Sequence, residues 1–114
     1  MKTILFVCTG NTCRSPMAEA LARTALAGRP EWRVRSAGIG AVNGQPPSPH
    51  AVRALRDRGL DIASHRSQML TARLVREADL VVALTRAHLD GIQYLYPEAA
   101  GKTVLLGGLG GNAA

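Results

Sequence analysis

At 114 residues the chain has the length of one domain around one core, and a hydrophobic fraction of 46% argues against wholesale disorder. The formal charge of +6 comes from twelve Arg and two Lys set against eight acidic residues. The arginines are scattered and only four residues are aromatic, so the charge reads as a solvated surface that attracts anions rather than as a nucleic-acid interface. No run approaches the roughly 18–20 apolar residues needed to cross a bilayer, and no signal-peptide core is recognisable, so a cytoplasmic protein with no membrane partner is expected.

In chain order, Thr3 to Val7 is a short apolar run stopped by Gly10 and Asn11 and reads as a buried strand. Ser15 is placed to cap a following helix, Pro16 suits its first turn, and Glu19 favours its start. Met17, Leu21 and Ala25 then recur at helical spacing as far as Gly28. Trp32 to Ser36 reads as a second strand, and residues 40–49, rich in Gly, Pro, Asn and Ser, as a loop. A helix is predicted from Ser48 or Pro49 to Arg58, closed by Gly59. A short helix is predicted over Leu70 to Glu77, a buried strand over Asp79 to Leu84 and a helix from Arg86 to Tyr96, stopped by Pro97. Lys102 to Leu106 would be a fourth strand. The order β-α-β-α-α-β-α-β predicts an α/β domain over residues 1–114, with a four-stranded parallel sheet and helices on both faces.

Cys8 and Cys13 are the only cysteines. Their spacing, without a second pair or a nearby His, argues against zinc, and two cysteines are better evidence for chemistry than for a structural disulfide. Cys8 ends the first strand and opens the segment Cys8-Thr9-Gly10-Asn11-Thr12-Cys13-Arg14-Ser15. Between a strand and a helix, successive backbone N–H groups can turn inward as an anion nest, and the helix start adds donors and partial positive charge. Gly10 and Asn11 tolerate the left-handed conformations that a tight cradle demands. Arg14 brings a planar fork of donors for two oxygens, and Ser15 can donate a hydrogen bond to the Cys8 sulfur. Every one of these features stabilises an anion at Cys8.

The run C-x5-R-S, in the setting Val-Cys-Thr-Gly-Asn-Thr-Cys-Arg-Ser-Pro-Met-Ala-Glu, resembles the low-molecular-weight protein-tyrosine-phosphatase family. Ser36-Ala-Gly38 and Ala78-Asp-Leu-Val-Val-Ala-Leu-Thr85 resemble it too. The resemblance implies a phosphatase that acts on phosphorylated proteins or small phosphoesters without metal or cofactor, as a monomer or weak dimer. Cys8 would be its nucleophile and Arg14 its phosphoryl clamp, with Thr9, Gly10, Asn11, Thr12, Cys13 and Ser15 forming the binding loop. Thr12, where many tyrosine-specific members carry a bulkier aliphatic residue, resembles the bacterial protein-arginine-phosphatase subgroup. The 40–49 loop also lacks the aromatic residue that often flanks a phosphotyrosine ring.

The chain departs from the family in one respect. The family's general acid is an Asp in an Asp-Pro pair beyond the fourth strand, whereas no Asp follows Asp90 and no Asp-Pro occurs. Asp79 belongs at the wrong end of its strand to replace it. A C-terminally truncated domain is therefore expected, lacking the family's last helix, with weak turnover of poor leaving groups and an exposed apolar patch. Two alternatives accompany the phosphatase. Thiol-coupled arsenate reductases share the loop but use further downstream cysteines, and a regulatory module would bind phosphate without turnover. Cys13 either packs or traps oxidised Cys8 as a disulfide. His50, His65 and His88 read as surface or capping residues, Arg66 and Arg86 as solvated charges, and Tyr94 and Tyr96 as packing residues.

Overall fold

The structure is a computed structural model that describes residues 1–106. The chain runs β1 (Lys2–Cys8), α1 (Arg14–Ala25), β2 (Trp32–Gly38), α2 (Pro49–Arg56), α3 (Ala72–Glu77), β3 (Leu80–Ala83) and α4 (Arg86–Leu95). A 3-10 turn (Pro97–Lys102) and β4 (Thr103–Leu105) follow. All predicted elements form, with boundaries shifted by one or two residues, as fraying ends allow. The glycine-rich stretch after Leu106, on which the expected truncation turns, lies outside the described residues.

The four strands form one parallel sheet in the order β2-β1-β3-β4. The chain leaves β1 towards one edge to make β2 and then crosses back to the other side of β1 to make β3. The connections therefore diverge between β1 and β3, and a crevice opens at the carboxyl ends of these two strands. The first loop of the chain sits in that crevice.

Strand alternation sorts the core. Leu5, Val7, Val81 and Ala83 face α3 and α4, packing with Leu74, Val75 and Ile92. Phe6, Val34 and Val82 face α1 through Ala18, Ala22 and Leu26, and the half-buried Leu80, Leu84 and Val104 share this face. The α2 residues Ala51 and Leu55 pack on α1 with Met17, Ala20 and Cys13. Helices thus cover both faces. Tyr96 packs against the core, but Tyr94 is 86% exposed and does not pack as expected, because the buried stripe of α4 runs through His88 and Ile92 instead.

Local chemistry sets the helix ends. Ser48, Thr71 and Thr85 each cap a helix by accepting a backbone N–H with their hydroxyls. After α2 the Leu60 N–H bonds the Leu55 carbonyl and the Gly59 N–H bonds that of Arg56, with Gly59 at φ +77°. This is the paired C-terminal closure that a glycine makes cheap. At the amino ends of the strands, Asp79 Oδ2 accepts from the Thr3 N–H at 2.7 Å. Asp79 is thereby occupied at the end of the sheet opposite Cys8. Among the described residues no helix is long and apolar enough to cross a membrane.

Candidate active site

The loop between β1 and α1 closes a cleft of about 260 Å³ lined by residues 8–14 and His88. All the loop residues anticipated from the sequence, Cys8 through Arg14, therefore come together there, and Ser15 lies directly beneath. Asn11 is wholly buried at φ +56°, a left-handed position that Asn tolerates. Gly10 does not use the left-handed region: only Gly44 and Gly59 do among the described glycines. A Cβ on Gly10 would meet nothing nearer than Thr12 Oγ1 at 3.6 Å. The loop reverses at Asn11 because its side chain is anchored below, so Gly10 need not supply the turn.

The crowded glycine is Gly38, at the end of β2. A Cβ there would lie 2.4 Å from the Thr9 carbonyl oxygen and 3.0 Å from the Asn11 nitrogen. The loop rests directly on this backbone.

Helix α1 begins at Arg14 with Cys13 at its N-cap and no side-chain cap. Ser15 does not cap the helix. Its hydroxyl points under the loop, 2.8 Å from Cys8 Sγ. The uncapped N–H groups at the helix start remain available to an anion. Nor does Glu19 serve the helix start, since its carboxylate reaches Ser36 on β2 and Arg23 on its own helix.

These contacts impose a direction on the protons. A carboxylate only accepts, so Ser36 donates to Glu19 Oε1. Ser36 Oγ therefore accepts from Asn11 Nδ2 at 2.9 Å, and the other Nδ2 proton goes to Ser15 Oγ at 2.8 Å. Asn11 Oδ1 accepts the Gln68 N–H at 2.8 Å, which fixes the same amide orientation independently. Ser15 already accepts from Asn11, so its own proton turns to Cys8 Sγ. The Asn11 backbone N–H also points at that sulfur, at 3.2 Å. Cys8 Sγ thus receives donors from two directions, an arrangement that suits a thiolate.

Arg14 is exposed at the rim and forms no ion pair among the described residues. A guanidinium unclaimed by carboxylates, beside a ring of amides, is a receptor for a tetrahedral oxyanion. The described residues contain no group of three or more His, Cys, Asp or Glu placed to hold a metal ion. Cys13 is free and half-buried, packing against α1 and α2 while lining the cleft, and Cys8 is free and buried.

Two histidines depart from the surface or capping role expected of them. His65 Nε2 lies 2.9 Å from the Asn11 carbonyl and braces the loop from outside. His88 is buried, with Nε2 2.8 Å from Thr9 Oγ1 and Nδ1 2.9 Å from Thr85 Oγ1. Burial, and then the positive charge of Arg14, pushes its pKa below the ordinary value. His50 is exposed, as are Arg66 and Arg86. Glu19 and Ser36 lie within the runs that resemble the family, yet neither they nor Gln68 could be assigned to the site from the sequence. A signal for His88 was its place after the Thr85 cap at the carboxyl end of a strand flanking the crevice.

A buried cysteine sulfur at the carboxyl end of β1, a guanidinium at a helix start without an ion pair among the described residues and an open parallel sheet fit a phosphate-handling class of α/β enzyme. The chain belongs to the low molecular weight phosphotyrosine protein phosphatase family, whose model matches residues 3–110. It is similar to EpsP of Ralstonia solanacearum, a probable low molecular weight protein-tyrosine-phosphatase. The two are 49% identical over 107 residues, 94% of this chain and 72% of that protein. The YwlE arginine phosphatase from Geobacillus stearothermophilus shares the fold with a TM-score of 0.91 at 42% identity, covering 100% of this chain and 73% of that one. The tyrosine phosphatase Wzb from Escherichia coli K30, in complex with sulphate, gives 0.86 at 40% identity over 93% and 72%. The chain is accordingly a phosphatase by family.

Proposed function

We propose that the chain dephosphorylates phosphorylated protein side chains through a cysteinyl-phosphate intermediate, with phosphoarginine as the favoured substrate. The Cys8 thiolate attacks phosphorus in line. The S–P bond forms as the bond to the leaving nitrogen or oxygen breaks, and the leaving group takes the electron pair and a proton from water. Arg14 and the amides of residues 9–14 hold the equatorial oxygens. Water then attacks phosphorus, the S–P bond breaks back to thiolate, and inorganic phosphate departs. The observation that carries this reading is the hydrogen-bond network at the sulfur: Asn11 Nδ2, oriented by Ser36, donates to Ser15 Oγ, so that Ser15 donates to Cys8 Sγ, which supports a negative charge there.

The preference for phosphoarginine rests on the cleft wall. Thr12 is half-buried there, and no Phe, Tyr or Trp is among the described lining residues. A polar, planar guanidine gains hydrogen-bond partners in such a wall, whereas a phenyl ring gains no stacking surface. The same reading has the protein working in the cytoplasm as a monomer or weak dimer.

Para-nitrophenyl phosphate needs no protonated leaving group and is the substrate to test first, with the chain and its Cys8→Ser variant side by side. Turnover that survives Cys8→Ser removes the nucleophile assignment. Phosphoarginine and phosphotyrosine peptides, compared in the chain and in Thr12→Ile, test the substrate: the ratio of their kcat/KM values should shift towards phosphotyrosine. A ratio indifferent to Thr12→Ile sinks the preference.

A further inference from the structure

His88 stands between two hydroxyls, and the protons around it can be counted. Thr85 Oγ1 caps α4 by accepting the backbone N–H of His88 at 3.3 Å. With that N–H accepted, the Thr85 proton goes to the other near atom, His88 Nδ1 at 2.9 Å. A neutral ring that accepts at Nδ1 carries its own proton on Nε2, which donates to Thr9 Oγ1 at 2.8 Å. The Thr9 hydroxyl, accepting from the ring, keeps its own proton free, and Thr9 lines the cleft beside Cys8. The opposite tautomer makes Thr85 accept twice, leaves the Thr85 proton unplaced and commits the Thr9 proton to the ring.

Among the described residues no carboxylate hydrogen-bonds or ion-pairs with the ring. Arg14 approaches from the loop and adds positive charge, Thr9 and Thr85 are neutral, and on α4 itself Arg86 and Asp90 pair with each other at 3.7 Å. Burial opposes the charge as well. The ring stays neutral, and its tautomer follows from the Thr85 cap.

We propose that His88 is a positioning residue: by donating to Thr9 it aims the Thr9 hydroxyl proton into the cleft as a further donor to the phosphoryl group. The mechanism proposed above does not use His88, and the inference rests on that reading of the loop as the phosphoryl site. Thr9 touches the substrate, and His88 acts only through it. A fixed donor needs no reorganisation when the oxyanion arrives, which is the advantage of orienting it beforehand.

The test compares Thr9→Val, His88→Leu, their double variant and His88→Gln, whose amide nitrogen sits near the position of the ring Nε2. The readouts are the inhibition constant of inorganic phosphate against para-nitrophenyl phosphate, and the split between kcat and KM. Thr9→Val and His88→Leu should each weaken phosphate binding about tenfold, the loss typical of one hydrogen bond to a charged group. The double variant should be no worse than either single one, because both remove the same donor. His88→Gln should return to within about threefold of the parent, since the donor is restored. Additive losses, or a Gln variant as impaired as the Leu variant, overturn the proposal. If His88→Leu does not fold, Thr9→Val decides: an unchanged phosphate constant there overturns it. Cys8→Ser separates the two levels. Turnover that survives it removes the phosphatase reading, whereas abolished turnover beside an indifferent Thr9→Val removes only the role of His88.

Discussion

Ser15 Oγ lies 2.8 Å from Cys8 Sγ, and its proton is committed to that sulfur because Asn11 Nδ2 already donates to the same oxygen. The direction originates 25 residues further along the chain from Asn11, where Ser36 must donate to the Glu19 carboxylate. Asn11 Nδ2 donates both ways in this network, towards Ser36 and Glu19 on one side and towards Ser15 and the sulfur on the other, and each link fixes the next.

Ser15→Ala should therefore lower kcat for para-nitrophenyl phosphate while leaving the fold intact. The removed bond is one to a charged acceptor, about 1.5–3 kcal/mol, so a loss of roughly 10–150-fold is expected. A Ser15→Ala variant with parental kcat would show that the sulfur does not depend on this hydroxyl.

The two glycines under the loop should behave oppositely. In Gly38→Ala a methyl group would lie 2.4 Å from the Thr9 carbonyl oxygen, so either β2 or the loop must shift. A stability loss of about 1–3 kcal/mol is expected, with most of the activity lost alongside it. Gly10→Ala meets only an ordinary contact with Thr12 Oγ1 at 3.6 Å and should change the urea midpoint little. Equal midpoints for the two variants would contradict the close approach at Gly38.

Arg14 has no ion pair among the described residues, so exchanging it for Lys preserves the charge and removes the fork. Arg14→Lys should leave the thermal midpoint nearly unchanged and reduce kcat/KM by about 10²-fold or more, with phosphate inhibition weakened in parallel. A variant within a few-fold of the parent would mean that charge alone suffices at this position.

The pH dependence of stability follows from His88. Its pKa in the folded chain lies below the ordinary 6.5 because burial, and then Arg14, disfavour the imidazolium. The unfolded chain therefore binds more protons than the native one once pH falls below about 6.5, and stability declines through that window towards the lowered native pKa. Urea midpoints measured from pH 7.5 to 5.5 should fall more steeply for the parent than for His88→Gln, which cannot titrate there. Parallel slopes would place the acid sensitivity elsewhere.

The elements and the loop were legible because their determinants are local. The apolar run of β1, the period of α1, the capping Ser48 and Thr85 and the glycine closing α2 are each read from neighbours within a few positions. The fork of Arg14 and the left-handed turn at Asn11 likewise need no distant partner to be recognised. The order of elements was therefore determined by the sequence alone, and the observed order agrees with it.

Tertiary structure decided which groups complete the site. Ser15, read both as a helix cap and as a donor to the Cys8 sulfur, takes only the second role, Glu19 reads as a helix-start charge and becomes the anchor of Ser36, and His65 and His88, read as surface or capping residues, contact the loop. Gln68 meets Asn11 across 57 positions, and His88 meets Thr9 across 79. Hydrogen bonds between side chains on different elements leave no periodic trace, since they arise only when the sheet order β2-β1-β3-β4 brings those elements to one crevice. Local propensity shapes the loop, but long-range packing determines where its protons point.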